Sequence, residues 1–491
     1  MAIASTKSSA DLAPRDLLAL AAASLLSLCG YLATSALTFR VGFPLDDSWI
    51  HLTYARNLAL RGEWAFLPGV PSGGSTAPLW STLLALGFKL GLSPYIWTYI
   101  LGGLTLFALA CLAELAARRF DFYRPRFPLV GLFFALEWHF VWASASGMET
   151  LLYCLFATFI LTSLSSASPR SLTLGLLTAL TIWIRPDALT LLGPTLLILT
   201  LTQPRAANLT RFIVGFGFLF GLYVLFNLKL SGHPFPNTFY AKQAEYAAWQ
   251  AKPLLEKLGL TLLQILTGPA FVLLPGVIVW LVKSIRARDW PTLAAMTWFA
   301  GYVTIYALRL PPYQHGRYLM PVMPMFLLWG LLGMMVAFRD GLTRPAVKLT
   351  RVGWSALLVA VTALFWFVGA RSYGQDVAFI ESEMVDVAKW VNDNLPPDAV
   401  IAAHDIGALG YFDHHQLIDM AGLVSPEVIP FLRDESTMAS YLDSNSVNYF
   451  VAFPNLYPSL TARSEFVYST GATFAESLGG EGLVVYRWIT P

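Results

Sequence analysis

Charge is scarce in this chain. Only 13% of its 491 residues are Asp, Glu, Lys or Arg, about half the share of an ordinary soluble protein, and that excludes a water-soluble enzyme. Cysteine is scarcer still. The three present, Cys29, Cys111 and Cys154, all fall inside apolar segments, so no disulfide framework holds the polar parts together. A net charge of one sign is also lacking: 32 basic against 30 acidic residues leave +2, which argues against nucleic acid as a partner. No internal repeat is visible, nor the match between halves that inverted-repeat transporters often show.

What the chain has instead is apolar sequence, 56% of the total, in runs of around twenty residues from Leu17 to Ala370. This is the pattern of a polytopic α-helical membrane protein. The first run, Leu17–Phe39, is too long for a signal-peptide core and reads as an uncleaved helix. Ten more runs, among them Tyr95–Ala117, Phe127–Ala145, Leu258–Val282 and Trp354–Ala370, bring the expected number of spans to about eleven. The apolar segment Leu79–Leu92, fourteen residues long, rises only about 21 Å as a helix, short of the ~30 Å hydrocarbon core, and reads as an interfacial or re-entrant segment. With that parity Arg118, Arg119, Arg124 and Arg126 share the cytoplasmic side with Arg339, Arg344, Lys348 and Arg351. The N-terminus, beside Lys7 and Arg15, is then inside and the C-terminus outside. Residues 1–370 form the expected membrane domain, with an outer loop over 40–93 carrying interfacial helices. The tail 371–491 reads as an extracytoplasmic α/β domain, with Val377, Ile380, Met384, Val387 and Val391 at helical spacing and β-like runs near Val400–Ala403, Gln416–Ile418, Asn448–Phe453 and Gly482–Trp488.

The polar segments of unusual composition all fall on the outer side. Asp46-Asp47, just past the first span, are adjacent carboxylates that repel each other unless a cation or donor lies between them. They are candidates for a general base, for ligands of a divalent cation (Mg, Mn or Ca), or for both; capping of the helix beginning at Ser48 explains one of them. His51 follows one turn later. Glu149, in Ser146-Gly147-Met148-Glu149-Thr150, either orients a sugar hydroxyl or complements the next helix dipole. Arg185-Pro186-Asp187 is a helix-end anchor or a functional pair at the boundary of a span. Asn237 to Lys242 and His315-Gly316-Arg317-Tyr318 combine cations with aromatic and hydrogen-bonding groups immediately outside a span. A guanidinium fork and an ammonium suit a lipid phosphate at the interface; snorkelling and an aromatic belt are the plain alternative. Within the bilayer Glu137 lies mid-span and Glu114 near the cytoplasmic end, where it can snorkel. In the tail, His404-Asp405 and Asp413-His414-His415 lack the third ligand set of a zinc site.

The run from Asp46 to Leu58, the Pro68-Gly69 turn, Ser146 to Thr150, Arg185-Pro186-Asp187, Pro236 to Lys242 and Arg317-Tyr318 resemble, in order and sidedness, the GT-C membrane glycosyltransferases. Within them they are most similar to terminal arabinofuranosyltransferases of the AftB type and their bacterial relatives. The resemblance implies a helical membrane core with an outer cavity roofed by interfacial helices, and a polyprenyl-phosphate sugar as donor. It implies that Asp46 or Asp47 deprotonates the acceptor hydroxyl or binds a divalent ion, and that Lys242 and Arg317 hold the lipid phosphate, with Arg56 a further candidate. The expected catalytic set is Asp46, Asp47 and Glu149; His51, Arg56, Arg185, Asp187, Asn237, Lys242, His315, Arg317 and Tyr318 are expected to bind substrate. The expected protein is a multi-pass enzyme of the plasma membrane working on an extracytoplasmic glycan, lipid or protein acceptor. The rival readings are a transporter of lipid-linked glycan and a non-catalytic scaffold whose outer domain binds cell-wall glycan.

Overall fold

The computed structural model describes residues 11–165, 170–202, 206–339 and 344–489; Lys7 lies outside them. In chain order the helices are α1 (Pro14–Thr38), α2 (Asp47–Arg61), α3 (Pro78–Lys89), α4 (Pro94–Arg118), α5 (Leu129–Leu136), α6 (Trp138–Ala145), α7 (Thr150–Ser163), α8 (Ser171–Ile184), α9 (Leu192–Thr202), α10 (Ala206–Ser231), α11 (Asn237–Glu245), the single turn α12 (Ala247–Gln250), α13 (Leu254–Leu266), α14 (Pro269–Ala287), α15 (Trp290–Arg309), α16 (Met323–Arg339) and α17 (Pro345–Phe379). Among the described residues six helical stretches are long and apolar enough to cross a membrane: Pro14–Thr38, Pro94–Arg118, Ala206–Ser231, Pro269–Ala287, Gln314–Arg339 and Pro345–Asn394. Among shorter apolar helices, Thr150–Ser163 packs against α4 and Ser171–Ile184 against α10.

Two expected spans are broken, each for a local reason. Phe127–Ala145 is interrupted at Glu137, which is 1% exposed. A buried carboxylate needs donors, and the unwound turn supplies them: Glu137 accepts from the His139 and Phe140 amides at 3.0 and 3.2 Å, and lies 2.8 Å from His139 Nδ1. Leu258–Val282 is interrupted at Gly268, whose φ is +86°, just before Pro269. A residue preceding proline is pushed out of the helical region, so α13 and α14 are separate, and α13 turns Lys257, Thr261 and Ile265 inward. Glu114 does not snorkel. It is fully buried, accepting from Arg118 Nε at 2.8 Å, from Tyr123 and from the Val130 and Gly131 amides at the start of α5.

α2 and the twelve-residue α3 are too short to cross and lie over one end of the bundle, tied to the Ser146–Glu149 turn by Ser48 Oγ donating to Ser146 O and Trp80 Nε1 donating to Gly147 O. α14 and α16 touch backbone to backbone: a Cβ on Gly333 would lie 1.8 Å from Gly276 O, so only glycine allows this crossing.

α17 runs unbroken past residue 370, through a π turn at Ile380–Val385, into α18 (Asp386–Asn394). Arg40 clamps that passage with ion pairs to Glu381 and Asp386 at 2.8 and 2.7 Å. Beyond it β1 (Val400–Ala403), α19 (Gly407–Phe412), β2 (Gln416–Asp419), β3 (Tyr449–Ala452), β4 (Glu465–Ser469) and β5 (Val484–Arg487) form a five-stranded sheet in the order β2-β1-β3-β5-β4. β1 pairs in parallel with β2 and β3, and β5 runs antiparallel to both β3 and β4. β4 is an unexpected edge strand whose Phe466 is exposed, so it carries no buried apolar run to mark it. α19 seats this domain on α2, where Trp49 packs against Tyr411 and Phe412 with ring centroids 4.8 and 4.6 Å apart.

Candidate active site

A cavity of about 590 Å³ opens beside α2. Segments distant in sequence meet there: the start of α2, the Ser146–Glu149 turn, the Arg185–Asp187 segment, α11, the C-terminal half of α15 and the loop before α16. Asp47, His51, Glu149, Arg185, Asp187, Lys242, Arg317 and Tyr318 all line it.

Its polar wall is two linked networks. In the first, Arg317 Nη2 donates to Asp47 Oδ2 and to the Tyr318 hydroxyl at 2.7 and 2.8 Å. Lys242 Nζ donates to the same hydroxyl at 2.7 Å and lies 3.7 Å from Asp47 Oδ2. Both cations also lie over the Tyr318 ring, at 4.8 and 5.3 Å from its centroid. Desolvation alone would raise the Asp47 carboxyl, but Lys242 and Arg317 outweigh it and hold it well below the ordinary range. Desolvation likewise opposes the charge on Lys242, and Tyr318 and Asp47 more than restore it, so the ammonium is raised. Arg317 is 1% exposed, yet its Nε and Nη1 have no hydrogen-bond partner among the described residues. Buried polar groups are nearly always paired, so a guanidinium with two unpaired donors, on a residue that lines the cavity, has spare capacity for an anion.

The second network starts at His51. Its Nδ1 lies 3.2 and 3.3 Å from Ser81 Oγ and Ser75 Oγ, which turns Nε2 toward Glu149 Oε2 at 3.3 Å. Arg185 then joins two carboxylates, donating from Nη1 to Glu149 at 3.1 Å and from Nε to Asp187 at 3.0 Å. Tyr306 donates to Asp187 at 2.6 Å and accepts from Arg185 Nη2. Burial would raise Glu149, but His51 and Arg185 bring it down to about 2. The turn before it depends on Gly147, with φ +79° and its Cα hydrogen face against Ser48 and Phe43; a side chain there is both strained and obstructed.

Four of the residues selected from sequence lie off this wall. Asp46 does not cap its own helix; it caps α19, accepting from the Gly407 and Ala408 amides at 2.6 and 2.8 Å. Burial and the nearby Asp405 push its carboxyl up to about 7 against those two bonds. Arg56 points to the C-terminal domain, donating to Tyr411 O and Gly410 O. His315 is held 2.8 Å from Asp376, which also takes the Trp142 indole N–H. With φ of +56° at His315 and +55° at Gln314, this strained turn fixes the approach to Arg317. Asn237 starts α11, where its backbone amide donates to Gly73 O and the Thr238 hydroxyl to Gly74 O, tying the loop between α2 and α3 to the helix carrying Lys242.

Asp46 and Asp47 therefore turn to different partners, one to backbone amides and one to cations. They do not fit a shared divalent cation, and no three of His, Cys, Asp and Glu come together as a ligand group among the described residues. In the tail His404 lies near Tyr457 and Glu245, and His415 near Asp413 and Pro396 O. The residues that sequence reading missed are Tyr302 and Tyr306. Their four-residue spacing puts two hydroxyls on one face of an otherwise apolar helix, which was the available signal.

Residues 373–486 match a family described as a domain of unknown function, DUF8728. No curated protein matches the chain. Among solved structures the chain is similar to ArnT from Cupriavidus metallidurans bound to undecaprenyl phosphate, at 16% identity and a TM-score of 0.58, covering 97% of this chain and 99% of that one. It is also similar to the Archaeoglobus fulgidus oligosaccharyltransferase in complex with Zn and sulfate, at 12% identity and a TM-score of 0.61, covering 89% of this chain and 68% of that one. A third is the arabinofuranosyltransferase AftD from Mycobacteria, at 15% identity and a TM-score of 0.53, where 98% of this chain spans 42% of that one. These likenesses show that the chain shares its fold with the three proteins.

Proposed function

We propose that the protein is a membrane glycosyltransferase that takes its sugar from a polyprenyl-phosphate donor and passes it to an extracytoplasmic glycan, lipid or protein acceptor. The observation that carries this reading is the buried Arg317 guanidinium, with two unpaired donors, beside Lys242 and against the Asp47 carboxylate in one cavity. The fold shared with a protein bound to undecaprenyl phosphate supports the class of donor. In this reading the cavity faces outward, the N-terminus and the basic loops are cytoplasmic, about eleven segments span, residues 1–370 are catalytic and the outer α/β domain 371–491 covers the site.

The chemistry follows from the charges. The acceptor hydroxyl oxygen attacks the anomeric carbon while the bond from that carbon to the phosphate oxygen breaks. The electron pair leaves with the phosphate, and the hydroxyl proton passes to Asp47. Arg317, Lys242 and the Tyr318 hydroxyl stabilise the departing phosphate, the largest developing charge. Asp47 is a weak base while both cations hold it. A donor phosphate that engages those cations releases the carboxylate, so its basicity rises when the sugar is in place. Glu149, His51 and Asp187, braced by Arg185 and Tyr306, form the opposite wall and are suited to sugar hydroxyls.

The test is incubation of the purified protein with a panel of polyprenyl-phosphate sugars, following release of polyprenyl phosphate. Release from one donor, lost in Asp47→Asn, is expected and identifies the sugar. Absence of release from every donor and acceptor pair, with a protein of native thermal stability, overturns the reading.

A further inference from the structure

A second cavity, of about 840 Å³, lies between α5, α16 and α17 and the loop before α5. Three helices locate it at the far end of the bundle from the active site. α4 begins with Tyr95 and Tyr99, which pack on Phe43 near the start of α2, and ends at Arg118, where Glu114 holds Tyr123 at the cavity edge. Its 25 residues span about 37 Å. α16 has Arg317 and Tyr318 just before its start and Arg339 at its end. α17 has Arg351 near its start and Asp376, the partner of His315, near its end.

The cavity wall is apolar, with aromatic side chains such as Phe133, Trp354 and Phe367, and Phe367 and Val359 on its side wall are exposed in a segment that crosses the bilayer. Its rim carries Arg124, Arg126, Arg339 and Arg351, and among the described residues no acidic side chain lines it. Arg124 is paired with Asp121; Arg126, Arg339 and Arg351 are exposed. An apolar slot open to hydrocarbon beneath a cationic rim is complementary to one kind of molecule, an amphiphile with an anionic head.

We infer that this groove binds an anionic phospholipid of the leaflet opposite the active site, its phosphodiester on the arginine rim and an acyl chain in the slot. The donor phosphate is not the occupant, because a phosphate engaged by Arg317 and Lys242 is a bilayer thickness away. The inference holds whether or not the protein transfers sugar.

Native mass spectrometry of the full chain, exchanged into equal phosphatidylglycerol and phosphatidylcholine with identical acyl chains, tests it. Retained phosphatidylglycerol is expected to exceed phosphatidylcholine. Each basic group near a lipid surface is worth on the order of fivefold in affinity, so replacing Arg126, Arg339 and Arg351 by Gln is expected to reduce the preference about tenfold or more. On the wild-type protein alone, raising the salt concentration is expected to weaken the preference. Equal retention of the two lipids, a preference unchanged by salt or by the substitutions, or displacement of phosphatidylglycerol by undecaprenyl phosphate each overturns the proposal.

Discussion

Asp47 and Arg317, 270 positions apart in the chain, share a 2.7 Å ion pair on the wall of the cavity. The carboxylate one residue earlier has a different task, holding the first turn of α19. The adjacent acids therefore differ in consequence when altered. Asp47→Asn removes the proposed base and is expected to lower kcat/KM by about two to four orders of magnitude. Asp46→Asn keeps the shape but weakens a helix cap, an expected cost of about 1 kcal/mol, with donor turnover largely retained. Steady-state kinetics and thermal unfolding on both variants check this; an active Asp47→Asn protein beside an inactive, folded Asp46→Asn protein would reverse the assignment.

Arg317→Lys retains the charge but loses the planar fork that reaches Asp47, Tyr318 and a bound phosphate together. The expected result is a rise of roughly tenfold or more in KM for the lipid donor, with a smaller change for the acceptor. An equal change for both substrates would mean that Arg317 supports the cavity as a whole.

Tyr306→Phe removes the hydroxyl that joins Arg185 to Asp187. Two charged groups then share one less hydrogen bond, and those to charged groups are worth about 1.5–3 kcal/mol. A fall of about tenfold in kcat/KM is expected with the donor KM little altered, because the phosphate cations are untouched. Kinetics on a range of donor sugars would show whether the loss depends on sugar hydroxyls, as this wall requires.

Much of this site is legible in the sequence because polar groups stand out where apolar residues dominate. Asp47, Glu149, Arg185, Lys242 and Arg317 all lie at the edges of apolar runs, and their common side follows from counting those runs. What pairing each acid makes is not legible: Asp46 and Asp47 look equivalent until α19, some 360 residues later, takes one of them. Arg56 and His315 look like ligands for the same reason, since a basic side chain free to meet a ligand and one serving another chain segment have the same spelling. The breaks at Glu137 and Gly268 have local causes, a buried acid needing amides and a Gly-Pro step, that hydropathy averages away. Tyr302 and Tyr306 are hidden by their own apolar rings.

The raised Asp46 carboxyl makes a claim about stability with a definite sign. Its folded value of about 7 exceeds the ordinary value near 4, so the folded protein binds the proton more tightly than the unfolded chain. The stabilisation from that proton is fully present below the ordinary value and is lost as pH rises through about 7. Asp46→Asn has no such proton. The thermal midpoint of the wild-type protein is therefore expected to fall relative to that of Asp46→Asn as pH is raised from mildly acid to mildly alkaline. A constant difference across that range would show that Asp46 does not titrate there.

Metal dependence distinguishes the two roles that tandem acids can take. A shared cation needs both carboxylates turned to one point with a third ligand in reach, whereas Asp46 accepts two amide protons and Asp47 faces Arg317 and Lys242. Arg317 and Lys242 already supply the positive charge that a departing phosphate requires, so release of polyprenyl phosphate is expected to persist in EDTA at close to its full rate. Salt is expected to do more than chelator, since screening weakens the attraction between an anionic donor and a partly exposed ammonium such as Lys242. If EDTA abolishes release and added Mg or Mn restores it, the aspartates must rearrange about a cation when donor binds, and the Asp47–Arg317 pair is then a resting arrangement that turnover breaks.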